Sequence, residues 1–232
     1  MRYSQATGVS SDVVEQIFSS YEEEDEEEKD EEVVDDGFPN YSYDHETALS
    51  INSDTQGLLY MESLSIQLPV VQGTDNSYYL KHLIDGTYNS CGTLFIDANI
   101  EDGINASHVI IYGHHLNNGS MFSNFTEYTD QSFYETEGND VFYLFTDEYV
   151  RQYTIYTIYY TETQSEAFQY NFSSLELLRS YGELTKSWSF YDTGVDISQA
   201  EQIVTLSTCS VSYHTTTRLL ISGVLTAEKE LS

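Results

Sequence analysis

This sequence predicts a mostly β chain folded as an antiparallel or mixed barrel, and three observations carry that expectation. Short apolar runs of strand length recur along the chain, turn residues bound each of them, and only one stretch has a long helical pattern. No internal repeat is visible. A length of 232 residues suits one sizeable core, so one domain with an appendage is expected rather than two domains.

The elements follow in order. Residues 1–40 stand apart by composition: after a short helical pattern over Ser11 to Tyr21, Glu22 to Asp36 is nearly continuous carboxylate. Like charges at helical spacing repel, so this segment is expected to be solvated and mobile, with the folded domain spanning 41–232. Asp44 to Ile51 predicts a short helix with Asp44 as its N-cap. Leu58 to Ile66 reads as a strand, Pro69 to Gly73 closes that unit, and Asp75-Asn76-Ser77 is a turn before Tyr78-Tyr79-Leu80. Thr93 to Asp97 and Val109 to Tyr112 are strand-length apolar runs. Val141 to Phe145 and Gln152 to Tyr160 predict two further strands, with a polar connector over Ser132 to Glu137 before them. Ser173-Ser174-Leu175-Glu176 then has the form of a capping box, and Leu175, Leu178, Tyr181, Leu184 and Trp188 recur at near-helical spacing as a packing stripe. A turn at Asp192-Thr193-Gly194 leads to the run Ile203 to Cys209 and a last strand over Leu219 to Leu225.

Composition excludes several functions. Eight basic residues oppose 39 acidic ones, a formal net charge of −31. Such a field repels phosphates and anionic headgroups, which argues against nucleic-acid and lipid-surface binding and favours a cationic peptide. No stretch approaches the roughly 18 apolar residues of a membrane span, and the N-terminus lacks the basic start and apolar core of a signal peptide. Cys91 and Cys209 are too few for a disulfide framework, although one bridge between them is formally possible.

Three groups concentrate the chemistry. Cys209 ends an apolar, β-branched run; His114 directly follows the apolar run Val109 to Tyr112; and Arg218, one of only four arginines, lies on the next strand after an eight-residue gap. A cysteine at a strand end is often a small buried hydrophobe. Beside a fixed guanidinium and an imidazole, however, it has the parts of thiol acyl transfer: nucleophile, acid or base, and a cation for a developing oxyanion. Other uses of these residues fit less well. A phosphatase loop has five residues between cysteine and arginine and a glycine-rich cradle. A zinc site from His114, His115 and Cys209 meets the difficulty that adjacent residues of a strand point to opposite faces. His214, in the Ser/Thr/Tyr-rich linker, is a competing base.

In this setting the chain resembles the sortases, and among them class B. The resemblance spans about Thr47 to Thr226 and rests on ordered segments: Ser53 to Gly57, Leu68 to Gly73, Gly92 to Asp97, Ile111 to His115, Gly119 to Phe122, and Thr205 to Cys209 with Arg218. It implies an eight-stranded sortase β-barrel with a few helices, including one between strands 6 and 7, and a cysteine transpeptidase needing neither cofactor nor metal. By position Cys209 matches the nucleophile, His114 the general acid and Arg218 the substrate-orienting, oxyanion-holding arginine. Asn76, Leu80, Tyr112, Ser207 and Thr208 match positions lining the peptide groove.

The reaction implied is cleavage of an Asn-Pro-x-Thr-type sorting signal after Thr, with transfer of the acyl group to an amine of a peptidoglycan precursor or another protein. The partners implied are secreted proteins bearing such a signal, met by a monomer at the extracytoplasmic face of a Gram-positive membrane. Sortases are normally tethered by an N-terminal membrane helix that is not found in this sequence, so a soluble or mature fragment is expected. Leu58 stands where the family often has tryptophan, and Ser210 where a relative has an acidic residue. Two alternatives remain open: a pilin-polymerising sortase, and a sortase-fold peptide-binding module whose Cys209 is structural.

Overall fold

The computed structural model describes residues 11–20, 36–116, 119–208 and 216–231. Its body is a closed barrel of eight strands, β3 (Thr55–Met61), β4 (Ile66–Val71), β5 (Leu94–Ile96), β6 (His108–Gly113), β7 (Val141–Phe145), β8 (Tyr149–Glu162), β9 (Ile203–Thr208) and β10 (Thr217–Glu230). Around the barrel their order is β10, β8, β7, β3, β4, β5, β6 and β9, closed by the β9–β10 pair. Two neighbouring pairs, β4–β5 and β6–β9, are parallel and the rest antiparallel, so the expected barrel is mixed.

The tyrosine-rich composition has a packing use. Tyr128, Tyr153, Tyr156 and Tyr159 are fully buried. A buried tyrosine adds large apolar area but keeps a hydroxyl that needs a partner. Tyr153 donates to Gln202 Oε1 at 2.6 Å, Tyr128 to the Asn139 carbonyl at 2.6 Å, and Tyr156 meets Thr185 Oγ1 at 2.9 Å.

Three helices adjust the predicted pattern. The helix α2 (His45–Ile51) is capped as expected, with Asp44 accepting from the Thr47 amide. A short helix, α3 (Gln131–Tyr134), occupies the stretch read as a polar connector, because Asp130 caps it by accepting from the Ser132 amide and Tyr134 is buried beneath it. The longer α4 (Leu175–Lys186) falls between the sixth and seventh barrel strands, as the resemblance implied, with Ser174 rather than Ser173 as N-cap. Its buried face is Leu178, Tyr181, Gly182 and Thr185, whereas Leu175 and Leu184 of the expected stripe are 40% and 38% exposed. The reason is close approach: a Cβ on Gly182 would lie 2.7 Å from Ile197 Cδ1.

The compositional boundary at residue 40 is not a boundary in space. Residues 11–17 form the helix α1, followed by the strand β1 (Phe18–Ser20), which pairs with β2 (Tyr41–Tyr43). Val13, Ile17 and Phe18 are buried against Tyr60 and Phe145 of the barrel, and Phe18 stacks on Tyr41 with ring centroids 4.6 Å apart. This part of the 1–40 segment therefore belongs to the folded body. The acidic run up to residue 35 lies outside the described residues.

Candidate active site

The site is built from two strand ends and one strand start. β6 and β9 run parallel in the register His108↔Ile203 to Gly113↔Thr208, so both finish at the same rim of the barrel. β10 pairs antiparallel with β9, with Leu220 opposite Ser207, and therefore starts at that rim. A hydrogen bond from the Leu219 amide to Thr208 Oγ1, 3.0 Å, carries the pairing to the end of β9. His114 is the residue after β6, and Arg218 is the second residue of β10, opposite Thr161 of β8. Cys209, one peptide unit beyond Thr208 in the chain, lies outside the described residues, as does His214.

His114 is half-buried, and its Nε2 is 2.7 Å from the Leu80 carbonyl oxygen. A carbonyl can only accept, so Nε2 carries a proton and donates it. Leu80 is well held. Its neighbour Tyr79 is buried, donates its hydroxyl proton to Asp54 Oδ2 at 2.7 Å and accepts from Asn52 Nδ2 at 2.9 Å. Gly92, at φ +65°, passes so close that a Cβ there would lie 2.3 Å from the Tyr79 carbonyl oxygen. On the other side of His114, its carbonyl accepts from the Phe122 amide at 3.1 Å, and Phe122 packs against Gly113.

At the start of β10, the Glu162 carboxylate accepts from the hydroxyls of Thr216 and Thr217. These bonds, the Thr216 hydroxyl first, hold the Glu162 carboxyl below its ordinary range, and the Arg218 charge lowers it further. Arg218 itself is half-buried and donates from one guanidinium nitrogen to the Thr217 carbonyl at 3.3 Å. Glu162 was not singled out in the sequence, where it is one carboxylate among many; only its register opposite Thr217 gives it this place.

The five residues matched to the peptide groove divide. Tyr112 lies two residues before His114, with its ring against Phe95 and Phe168 and its hydroxyl donated to Asp97 Oδ2 at 2.9 Å. Leu80 meets His114 through its carbonyl. Asn76 is exposed and accepts from the Ala98 amide at 2.7 Å through its side-chain oxygen. Ser207 and Thr208 are fully buried, with their hydroxyls engaged on the Thr208 carbonyl and the Leu219 amide, respectively. Phe168, on a helical turn before α4, was not named from the sequence because nothing local marks a lone aromatic there. Cys91 is a free buried thiol packed with Leu83, and burial pushes its pKa up. His115 does not join His114: it bridges to Met121. Among the described residues no cluster of His, Cys, Asp and Glu has the arrangement of a metal site.

A closed mixed barrel with an imidazole and a guanidinium on the rim where an apolar strand leads into a cysteine defines a class of protein, and the sequence pattern of that class matches: the sortase domain covers residues 59–226. The chain belongs to the sortase family and is a cysteine transpeptidase. Its relatives are of class B. It is 28% identical over 177 residues to sortase B of Staphylococcus aureus, covering 76% of this chain and 71% of that protein, and 28% identical over 176 residues to sortase B of Listeria monocytogenes. Among solved structures, sortase B of Bacillus anthracis in complex with AAEK1 superposes with a TM-score of 0.77 at 26% identity, covering 97% of this chain and 98% of that one. The Staphylococcus aureus sortase B–substrate complex gives 0.71 at 26% identity over 81% of this chain and 85% of that one. Among the described residues no helix is long and apolar enough to cross a membrane.

Proposed function

We propose that this transpeptidase cleaves an Asn-Pro-x-Thr-type sorting signal after Thr and transfers the acyl group to a cell-wall amine, anchoring secreted proteins at the outer face of a Gram-positive cell membrane. The observation that carries the reading is the shared rim: the ends of β6 and β9 and the start of β10 supply His114, Thr208 leading to Cys209, and Arg218. A solved substrate complex of the similar Staphylococcus aureus enzyme supports a peptide groove in the same family.

In this reading Cys209 is the nucleophile. Its thiolate attacks the Thr carbonyl carbon, forming a C–S bond and an oxyanion that the Arg218 guanidinium faces; one such donor is worth about 10²–10³ in rate. The tetrahedral species collapses by breaking the C–N bond. The departing amine takes a proton from His114, leaving a thioester on Cys209 and a neutral imidazole. Because Nε2 is donated to Leu80, this transfer falls to Nδ1. The acceptor amine then attacks the thioester, gives its proton to His114 Nδ1, and expels the thiolate. A nearby cation favours the thiolate that starts the cycle. Asn76, Leu80 and Tyr112 line the groove, while the buried Ser207 and Thr208 fix the strand that leads into the nucleophile.

The test is a set of quenched Asn-Pro-x-Thr peptides, x varied, incubated with enzyme and an amine acceptor. Wild type is expected to release the C-terminal fragment and to carry the acyl mass on Cys209, and Cys209→Ala to do neither. His114→Ala and Arg218→Ala each lower kcat/KM by about 10²-fold or more. Undiminished cleavage by Cys209→Ala, or no thioester in wild type with any peptide, overturns the reading.

A further inference from the structure

Asp97 is a buried carboxylate that the mechanism does not use. It is 5% exposed and lies at the turn after β5. Burying a carboxylate is costly unless its oxygens are hydrogen-bonded, and here both are. Oδ1 accepts from the Asn99 amide at 3.0 Å and from Asn99 Nδ2 at 2.8 Å, and Oδ2 accepts from the Tyr112 hydroxyl at 2.9 Å. The turn is itself clamped: Gln72 Nε2 donates to the carbonyls of Asp97 and Ile100, and the Asp97 amide donates to Ile110.

Three segments attach to this turn. The Ala98 amide holds the Asn76 side chain of the β4–β5 connection, 2.7 Å. Asn171 Nδ2, in the stretch leading to α4, donates to the Asn99 carbonyl at 3.2 Å. Tyr112 of β6 donates its hydroxyl hydrogen bond to Asp97, and its ring lies nearly parallel to that of Phe168, 22° apart with centroids 6.3 Å apart. Two of the residues assigned above to the groove, Asn76 in the β4–β5 connection and Tyr112 on β6, thus hang on one buried turn.

We propose that Asp97 is a positioning residue for peptide binding: it locks Tyr112 and, through its turn, Asn76 into one rigid groove wall that sets affinity for the sorting peptide. The role rests on the groove assigned under the proposed function. A buried carboxylate that only stabilised the turn would affect folding alone. A positioning group acts on KM, because a wall whose parts are ordered in advance does not spend binding energy on ordering them. The part of its effect that runs through Tyr112 must also vanish when Tyr112 can no longer reach it, since groups in one hydrogen-bonded network couple.

Asp97→Asn, Tyr112→Phe and the double variant are compared by steady-state kinetics on the wild type's best quenched Asn-Pro-x-Thr peptide, with thermal unfolding alongside. Each single variant is expected to raise KM about tenfold with kcat within about twofold of wild type, and the double variant to resemble the singles rather than to reach a hundredfold. Tyr112→Phe leaves the Asp97–Asn99 bonds intact, so it reports even if Asp97→Asn does not fold. Unchanged KM in Tyr112→Phe, multiplicative effects in the double variant, or a loss confined to kcat or to unfolding temperature overturns the role. If wild type neither binds nor cleaves any peptide, the groove falls and this role with it; a cleaving wild type with insensitive variants removes this role alone.

Discussion

His108 is fully buried at the start of β6, with Nδ1 2.6 Å from the Gln169 carbonyl and Nε2 2.9 Å from Thr205 Oγ1, which in turn meets Ser222 Oγ at 2.9 Å. Since the Gln169 carbonyl can only accept, Nδ1 carries the proton and Nε2 accepts from Thr205. Burial, with the rings of Tyr181 and Phe172 packed alongside, pushes the imidazole pKa down from 6.5 to about 4, against a small opposing contribution from the Gln169 bond. The unfolded chain binds a proton near pH 6.5 that the folded chain refuses until about pH 4, so stability is complete above 6.5 and falls as pH drops through that window. The full loss is about 3 kcal/mol, and at pH 5 it is already about 2 kcal/mol. Urea unfolding of wild type and His108→Gln at pH 7.5 and pH 5.0 checks this. Glutamine can donate to Gln169 and accept from Thr205 without titrating. The wild type's stability relative to the variant is expected to shrink by about 2 kcal/mol between the two pH values, while the large carboxylate contribution common to both chains cancels. Parallel pH profiles for the two proteins refute the argument.

Two other outcomes follow from the same structure. Gly113→Ala places a Cβ 2.5 Å from Phe122 Cδ2 and 2.7 Å from Leu94 Cδ2; overpacking of this kind costs about 1–3 kcal/mol, and because His114 is the next residue, peptide cleavage is expected to fall by more than the loss of folded protein explains, as measured by kcat per folded enzyme. Chelator is expected to leave cleavage unchanged, since the proposed steps use only a thiol, an imidazole and a guanidinium; a loss above a few-fold on adding chelator, restored by calcium, refutes that.

The barrel was legible because its strands advertise themselves one at a time. Val141 to Phe145 is read from the sequence and found as β7 with the same bounds, since a short apolar run between turn residues has few other uses. The interior of α4 was less so. Counting leucines at helical spacing placed Leu184 inward, but the face against the barrel is chosen by close approach at Gly182 and by Thr185, whose hydroxyl meets Tyr156. Small and polar residues at an interface leave no apolar period to count. The helical pattern that begins at Ser11 is found as α1, but the packing of residues 11–20 on the barrel is hidden for a related reason: the neighbouring carboxylates dominate the composition, while Val13, Ile17 and Phe18 carry the packing. At the site, His114 and Arg218 could be picked out as rare residue types beside apolar strands. The Leu80 carbonyl and the Asp97 turn could not, because main-chain acceptors and one more aspartate among 39 acidic residues leave no mark in the sequence.

The mixed topology is itself a requirement of the chemistry. β6 and β9 are each six residues long, about 20 Å of extended chain. Were they paired antiparallel, the residues following them would lie on opposite rims, about that far apart, and no side chain could span the gap. Parallel pairing puts both ends on one rim but demands a long crossover. The chain supplies it between Gly113 and Ile203, and it is not idle: β7 and β8 complete the barrel, the turn before α4 sets Phe168 against Tyr112, and α4 covers the outer face over His108. β10 then returns antiparallel and brings Arg218 to the same rim without a further crossover. The parallel β6–β9 pair in a largely antiparallel barrel thus lets residues far apart in sequence share a site, and α4, inserted between β8 and β9, is part of what that pairing requires.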